Sequence, residues 1–201
     1  IMNILWLDLN SSYAHSSLAL PAIQAQMMDD TTIEWNIVSA TINESPNIIA
    51  GKIAAAGPDV IAATCWLFNH DVLMHVLARA KAMVPNSMVI LGGPEFLGDN
   101  EYFLRRHPFV DIILRGEGEE TFPLWTKHIN DIDKWKDITE LCYIHNDIYQ
   151  DGGIARVMDF DRLTPPEESP LFNWSKPFVQ LETTRGCFNT CAFCVSGGEK
   201  P

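Results

Sequence analysis

The sequence predicts an α/β fold: a flavodoxin-like, Rossmann-type sheet of five parallel strands with helices on both faces. Apolar runs of strand length alternate five times with segments of helical periodicity. The run from Val60 to Cys65 is apolar almost throughout, as expected for a strand that is covered on both faces. Right-handed crossovers leave few topologies, and we expect the strand order 2-1-3-4-5.

Each element of this sheet can be placed in chain order. Ser45 followed by Pro46 is typical of a helix start, and Gly57 is typical of the end of that helix. The helix after Asn69 carries the clearest apolar stripe, at helical spacing from Val72 to Val84. The predicted strands are 3–9, 32–38, 60–65, 88–91 and 110–114, and the other predicted helices are 17–28, 101–107 and a segment that ends near 130.

The remaining chain predicts two further units after an α/β domain over residues 1–132. The first, over 133–176, contains a hairpin from Leu141 to Gln150 around Asn146-Asp147 and a proline-containing linker. The second, over 177–201, begins with a strand from Phe178 to Leu181 that leads into a group of cysteines.

Charge and hydropathy exclude several classes of partner. The 201 residues have a formal net charge of −12, with 14 basic and 26 acidic side chains. An acidic surface repels nucleic-acid phosphates and anionic membranes, so neither is an expected partner. No run approaches the roughly 20 apolar residues of a membrane-spanning helix, and no secretory leader is recognisable. We therefore expect a cytoplasmic protein.

The loops after the strands are the predicted binding site, because ligands of open parallel sheets lie beyond the carboxyl ends of the strands. Two of these loops combine glycines with acids, which suits a neutral ligand rich in amide donors better than an anion. The alternative is that the glycines only close turns and cap helices. The candidate binding residues are Ser11, Ser12, His15, Thr64, Cys65, Trp66, Asn69, Gly92, Gly93, Pro94, Glu95, Gly116, Glu117, Gly118 and Glu119.

Three cysteines are spaced as Cys187-x3-Cys191-x2-Cys194, which is the most specific signal in the chain. Three thiolates on one loop can ligate three irons of a 4Fe-4S cluster and leave the fourth iron open for chemistry. Zinc with a distant fourth ligand, or three unligated thiols, are the alternatives. The other two cysteines, Cys65 and Cys142, lie in apolar strand contexts that are typical of packing residues.

At these cysteines the chain resembles the radical S-adenosylmethionine superfamily. The resemblance includes the aromatic Phe193 just before the third cysteine, and the preceding Glu182-Thr183-Thr184-Arg185-Gly186 is similar to the first barrel strand of that family. It implies that Cys187, Cys191 and Cys194 ligate a 4Fe-4S cluster whose open iron binds S-adenosylmethionine. It also implies a small-molecule substrate and an electron donor such as flavodoxin or ferredoxin.

The upstream part resembles the cobalamin-binding domain of the cobalamin-dependent branch of this superfamily. The matching segments are Asp59-Val60-Ile61 with Thr64-Cys65-Trp66, then Leu91-Gly92-Gly93-Pro94-Glu95, then Arg115-Gly116-Glu117-Gly118-Glu119. The branch includes radical methyltransferases and anaerobic cyclases of the magnesium-protoporphyrin monomethyl ester type. The resemblance implies cobalamin as a second cofactor and radical methyl transfer or cyclisation as the activity.

Two departures from these families qualify the interpretation. The Asp-x-His-x-x-Gly motif that supplies a cobalt ligand in the methionine-synthase type of domain is absent, and His15 lacks both its aspartate and its glycine. Since 14 residues follow Cys187, whereas a complete barrel takes about 250, we expect the chain to be an N-terminal fragment that is inactive alone. Ser196-Gly197-Gly198-Glu199 is not the Gly-Gly-Glu segment that holds the methionine amino group in this family, because that segment lies at the end of the next barrel strand.

Two other functions are compatible with the same residues. The chain could be a flavodoxin-like module that binds cobalamin or another small molecule and carries a zinc- or cluster-binding regulatory tail. It could also be a zinc-stabilised flavodoxin-like protein without a redox role. Bound metal and affinity for cobalamin distinguish these functions.

Overall fold

A seven-stranded sheet forms the centre of the protein. The computed structural model describes residues 1–154, 156–157, 159–187, 189 and 191–194. The strand order is β2-β1-β3-β4-β5-β6-β7, and the first five strands are parallel. The predicted order 2-1-3-4-5 is therefore confirmed. The strands are β1 (Met2–Asn10), β2 (Ile33–Thr41), β3 (Val60–Thr64), β4 (Met88–Gly92), β5 (Ile112–Leu114), β6 (Leu141–His145) and β7 (Ile148–Asp151).

The hairpin is part of this sheet, which corrects the prediction of a five-stranded sheet followed by a separate hairpin. β6 pairs antiparallel with β5, and β7 pairs antiparallel with β6. The turn lies at Asn146 and Asp147, whose φ angles of 49° and 63° suit a tight hairpin. Pairing with β6 covers the outer edge of β5, whose backbone groups would otherwise lack partners. The predicted boundary at residue 132 thus falls between two strands of one sheet.

Helices cover both faces of the sheet, as predicted. Successive residues of β1 alternate between two cores: Leu5 packs with the helices α2 and α3, whereas Ile4 and Trp6 pack with α1 and α5. None of the helices in the described part of the chain has the length and apolar character required to cross a bilayer. The helices are α1 (Ala19–Ala25), α2 (Pro46–Ala56), α3 (His70–Met83), α4 (Glu101–Arg106), α5 (Gly118–Lys127) and α6 (Ile132–Trp135).

The ends of the elements agree with the sequence patterns to different degrees. α2 begins at Pro46 and is followed by Gly57 with a φ of +55°, as predicted. α1 is shorter than predicted, and β2 continues to Thr41. The predicted strand from Phe178 to Leu181 is wrong. In the described part of the chain this segment joins no ladder, and the Phe178 amide instead donates a hydrogen bond to the Ala14 carbonyl at 3.3 Å.

The predicted linker is irregular, and it packs along α1. The Gln26 side chain donates to the Thr164 carbonyl at 2.8 Å and accepts from the Thr164 amide at 3.0 Å. The buried Ser169 hydroxyl donates to Gln24 Oε1 at 2.5 Å. These hydrogen bonds satisfy polar groups of the linker and of the α1 segment together. These bonds bring the chain after the linker back to the carboxyl edge of the sheet.

Candidate functional site

A cavity of about 260 Å³ opens at the carboxyl ends of β1, β3, β4 and β5, on the face that α1 and α5 cover. The lining residues are largely apolar, and many of them are alanine or glycine. Their small side chains leave the space of the cavity open. Its position agrees with the predicted edge of the sheet. The lining residues are Trp6, Ala19, Ala22, Ile23, Ala62, Ala63, Thr64, Trp66, Ile90, Leu91, Gly92, Gly93, Pro94, Leu97, Leu114, Gly116, Glu117, Gly118, Glu119, Phe122 and Arg185.

The loop after β4 crosses very close to the end of β3. Gly93 has a φ of +113°, and a Cβ atom built on it would lie 2.5 Å from the Cys65 carbonyl oxygen and 2.8 Å from Thr64 Cγ2. Only glycine fits this combination of backbone angle and contact without strain. The Cys65 amide donates to the Gly92 carbonyl at 2.8 Å and ties the two loops together. Gly93 therefore gives the cavity one wall made of backbone.

The loop after β5, taken together with the first turn of α5, holds two nearly buried acids. The side chains of Glu117 and Glu119 are 13% and 8% exposed. Glu117 accepts a hydrogen bond from the Val157 amide at 2.6 Å, and burial raises its pKa above the ordinary value. Arg185 Nη2 lies 2.8 Å from Glu119, and Arg185 Nη1 lies 3.8 Å from Glu117. The acids of this loop are therefore held by groups of the same chain.

A third acid, Glu140, is fully buried beside this loop. Neither of its carboxyl oxygens makes a hydrogen bond of standard geometry within the described residues, and its φ is +75°. Burial raises the pKa of Glu140 to about 8, and the nearby carboxylates of Glu119 and Glu117 act in the same direction. A carboxyl group with such a pKa is mostly neutral at pH 7. A left-handed backbone conformation and a fully buried acid thus coincide at residue 140.

The loop after β3 is organised by Asn69. Its buried side chain accepts from the Trp66 amide at 2.8 Å and donates to the carbonyls of Leu9 and Thr64 at 3.0 and 3.1 Å. Asn69 therefore fixes the loop and does not line the cavity. Cys65 is also buried, and desolvation raises the pKa of its thiol to about 12, as expected of a packing residue.

The tip of the same loop is apolar and exposed. Trp66, Leu67 and Phe68 are 44%, 82% and 47% exposed, and the rings of Trp66 and Phe68 stack with their centroids 6.5 Å apart. Three consecutive exposed apolar side chains are uncommon on a protein surface and indicate a contact surface. Trp66 also lines the cavity, so this surface adjoins the cavity mouth.

The loop after β1 places His15 away from the cavity lining. The Ser12 hydroxyl and His15 Nδ1 are 2.9 Å apart, and the His15 ring stacks on Phe178 with their centroids 5.5 Å apart. His15 therefore packs between the loop after β1 and the chain that leads to the cysteines. Ser11 is exposed and Ser12 is half-buried.

Nine of the predicted binding residues line the cavity, and six do not. The nine come from the last residues of β3 and β4, the loops that follow β3, β4 and β5, and the start of α5. The lining residues that the sequence analysis missed lie mainly on β1, β3, β4, α1 and α5, where an apolar run does not reveal which of its two buried faces meets a cavity. The six that lie elsewhere are Ser11, Ser12, His15, Cys65, Asn69 and Glu95.

The cysteines lie at the end of the described chain. Cys187 is half-buried, and Cys191 and Cys194 are exposed. The Cys194 amide donates to the Cys191 carbonyl at 3.0 Å, so these two residues share a turn. Within the described residues, no group of three metal-ligating side chains is arranged to hold an ion. Cluster ligation by the three cysteines stays a prediction, and Ser196-Gly197-Gly198-Glu199 lies outside the described residues.

Comparison with known protein families decides the identity of the sheet domain. The family described as "B12 binding domain" matches residues 7–125, which is more than half of the chain. This chain belongs to the B12-binding domain family. The matched region runs from β1 into α5 and therefore includes all four strand ends that surround the cavity.

Relatives of this B12-binding domain are parts of larger enzymes. The chain is 29% identical over 156 residues to the 2-(S-pantetheinyl)-carbapenam-3-carboxylate methyltransferase of Streptantibioticus cattleyicolor, covering 70% of the chain and 22% of that protein. It is 27% identical over 158 residues to the anaerobic magnesium-protoporphyrin IX monomethyl ester cyclase of Cereibacter sphaeroides, covering 73% of the chain and 26% of that protein. The chain thus spans about a quarter of the length of these relatives.

The fold of this B12-binding domain also matches a solved structure. The cobalamin-dependent S-adenosylmethionine radical enzyme OxsB, with aqua-cobalamin and S-adenosylmethionine bound, superposes with a TM-score of 0.78 at 18% identity. The match covers 98% of this chain and 29% of OxsB. This likeness confirms the predicted α/β fold class.

Proposed function

We propose that the chain binds cobalamin at the carboxyl edge of the sheet, as part of a cobalamin-dependent radical S-adenosylmethionine enzyme. The observation that carries this proposal is the apolar cavity beside the backbone wall at Gly93. Its volume of about 260 Å³ is below the usual 300–1,000 Å³ of a site that encloses a whole drug-sized ligand. The cavity therefore suits the aromatic nucleotide tail of cobalamin, and the much larger corrin ring would lie outside it.

The residues around the cavity have distinct roles in this proposal. Ile23, Leu114 and Phe122 provide apolar contacts for a flat heterocycle and exclude water from it. Gly93 lets the loop after β4 pack directly against the loop after β3, which shapes this wall of the cavity. The exposed Trp66 and its neighbours provide an apolar surface at the mouth, where a corrin ring would pack.

The activity of the larger enzyme is the second part of the proposal. We infer radical methyl transfer or cyclase-type chemistry on a small molecule, because relatives of both kinds match the chain. Cys187, Cys191 and Cys194 would ligate a 4Fe-4S cluster that receives S-adenosylmethionine and an electron from a flavodoxin or ferredoxin. When bound, cobalamin supplies a methyl group or handles the radical product. The acidic chain favours neither nucleic acid nor membrane as partner, in agreement with a cytoplasmic enzyme.

Titration with hydroxocobalamin tests the binding proposal. We expect the corrin absorption spectrum to shift and the protein fluorescence to fall, with saturation at micromolar cobalamin. The Glu34→Gln variant, which changes an exposed acid on β2, serves as a control and should bind equally well. The absence of any spectral change at micromolar cobalamin would contradict the proposal.

Anaerobic reconstitution with iron and sulfide tests the cluster. We expect about four irons per chain and a broad charge-transfer absorption, and we expect Cys191→Ser to lose both. Cys142→Ser, which changes a cysteine buried in β6, should retain them. A colourless protein with stoichiometric zinc would instead favour the zinc-stabilised module.

A further inference from the structure

The chain between Phe178 and Arg185 crosses the carboxyl edge of the sheet, and we name this segment the strap. Its first end is attached to the loop after β1. The Phe178 amide donates to the Ala14 carbonyl at 3.3 Å, and the Phe178 ring stacks on His15. Just before the strap, Lys176 Nζ donates to the Tyr13 carbonyl at 2.8 Å.

The second end of the strap is attached to the loop after β5. Arg185 Nη2 pairs with Glu119 at 2.8 Å, and Arg185 Nη1 lies 3.8 Å from Glu117. Glu182, within the strap, pairs with the same guanidinium at 2.6 Å, and the Phe160 ring lies 4.9 Å from it. The Arg185 side chain is only 20% exposed, so solvent screens these pairs less than it screens pairs on an open surface.

The two attachments lie on opposite sides of the cavity. β3 and β4 separate β1 from β5, so the strand ends are ~14 Å apart at the usual strand spacing. Seven residue steps of extended chain reach up to ~24 Å, so the strap spans this distance. Arg185 itself lines the cavity, and Cys187 follows it by two residues. The strap thus connects the cavity with the first cysteine of the predicted cluster loop.

We propose that Arg185 is a positioning residue, whose ion pairs with Glu119 and Glu117 hold the strap across the cavity and set the place of Cys187. That the place of Cys187 matters for catalysis rests on the proposed function. The attachment itself rests on the contacts of Arg185 and is independent of any cofactor. The three carboxylates around one guanidinium make the attachment electrostatic, so it depends on the charge at residue 185 and on its partners.

Cleavage by trypsin after Arg185 tests the attachment directly. Trypsin must take the Arg185 side chain into its own pocket, so cleavage reports the population in which the ion pairs are open. We expect Glu119→Gln to speed this cleavage about fivefold or more. Glu101→Gln, which removes a partner of Arg105 on α4, is the matched control and should stay within about twofold of the unchanged chain. Equal rates for the Glu119→Gln and unchanged chains would overturn the proposal.

A distance measurement tests the position of Cys187. Spin labels at Cys187 and at a cysteine introduced on α3 by His75→Cys, with Cys191→Ser and Cys194→Ser, should give a narrow distance distribution. Arg185→Gln should broaden this distance distribution. Arg185→Lys, which keeps the charge, should give a narrower distribution than Arg185→Gln. The proposal would be overturned if the unchanged chain and Arg185→Gln gave equally broad distributions. It would also be overturned if the distribution for Arg185→Lys were as broad as that for Arg185→Gln. We expect Arg185→Gln, which changes a half-buried side chain outside the sheet, to leave the sheet intact, and circular dichroism checks this.

Both measurements are made without cobalamin, so they separate this inference from the proposed function. If hydroxocobalamin fails to bind while Glu119→Gln still releases Arg185, the cofactor assignment fails and the attachment holds. If hydroxocobalamin binds while trypsin cleaves after Arg185 at the same rate in both chains, the assignment holds and the attachment fails.

Discussion

The loops after β4 and β5 both combine glycine with acidic residues, yet the structure uses them differently. In the loop after β4, Gly93 approaches the backbone of Cys65, and the acid Glu95 is exposed. In the loop after β5, the acids Glu117 and Glu119 are nearly buried, and they bind Arg185. One loop is shaped by the absence of a side chain and the other by the charges that it holds.

This difference shows why composition alone did not separate the two loops. Both loops were predicted to bind a neutral ligand rich in amide donors. In the structure, the first loop provides a backbone wall for the cavity, whereas the carboxylates of the second are already paired within the chain. Glu117 and Glu119 are therefore partners of Arg185 as well as candidates for contact with a ligand.

The loop after β4 should be the more sensitive to an added methyl group. Gly93→Ala places a Cβ atom in contact with the Cys65 carbonyl and forces alanine to a φ of +113°. We expect it to lower the free energy of unfolding by about 2–5 kcal/mol, from backbone strain and overpacking together. Gly98→Ala, in the same connection but with open space around its Cβ, should change it by less than about 0.5 kcal/mol. Urea denaturation measures both, and equal values would contradict the described role of Gly93.

The acids beside the loop after β5 should respond to pH. The pKa of Glu140 is about 8 in the folded chain and near its ordinary value when unfolded. The folded state therefore binds more protons between about pH 4.5 and 8, and the stability that this provides is lost as the pH rises through that window. We expect Glu140→Gln to stabilise the chain by about 1–3 kcal/mol at pH 8 and to flatten the pH dependence.

Urea denaturation at pH 5, 7 and 8 measures this effect. Glu120→Gln, an exposed acid on α5, is the control and should leave the slope with pH unchanged. A Glu140→Gln chain whose stability falls with pH as steeply as that of the unchanged chain would show that Glu140 is not the titrating group.

The sequence predicted the parallel sheet well because its signals are local. Runs such as Val60 to Thr64 mark buried strands, and Pro46 with Gly57 marks the ends of a helix. The pairing of β6 with β5 could not be predicted in the same way, because Asn146-Asp147 indicates a hairpin but not the strand that it joins. The strap was mistaken for a strand for the same reason, since pairing is a property of the whole fold.

The site could be predicted to the level of its loops but not of its side chains. Topology alone places the carboxyl ends of β1, β3, β4 and β5 at one edge, and the cavity is there. Whether a polar residue faces the cavity depends on local hydrogen bonds: Asn69 turns inward to bind the Leu9 carbonyl. Arg185 was noted only as part of the segment that resembles a first barrel strand, because nothing near it in sequence indicates its contact with Glu119.

The exposed tip of the loop after β3 should give the smallest change in stability. Trp66 is 44% exposed, so Trp66→Phe should alter the free energy of unfolding by less than about 1 kcal/mol. We expect it to remove the share of the fluorescence quenching by hydroxocobalamin that comes from Trp66, because Trp66 lies at the cavity mouth. Trp174→Phe, an exposed tryptophan after the linker, is the control. Equal loss of quenching in the two variants would contradict a corrin ring over this loop.

The central claim is that the cavity beside Gly93 receives the nucleotide tail of cobalamin. The most direct measurement compares the affinity of the chain for hydroxocobalamin with its affinity for cobinamide, which has the corrin ring but lacks that tail. We expect cobinamide to bind at least about tenfold more weakly, which corresponds to about 1.4 kcal/mol. Equal affinities for the two corrinoids would contradict the claim.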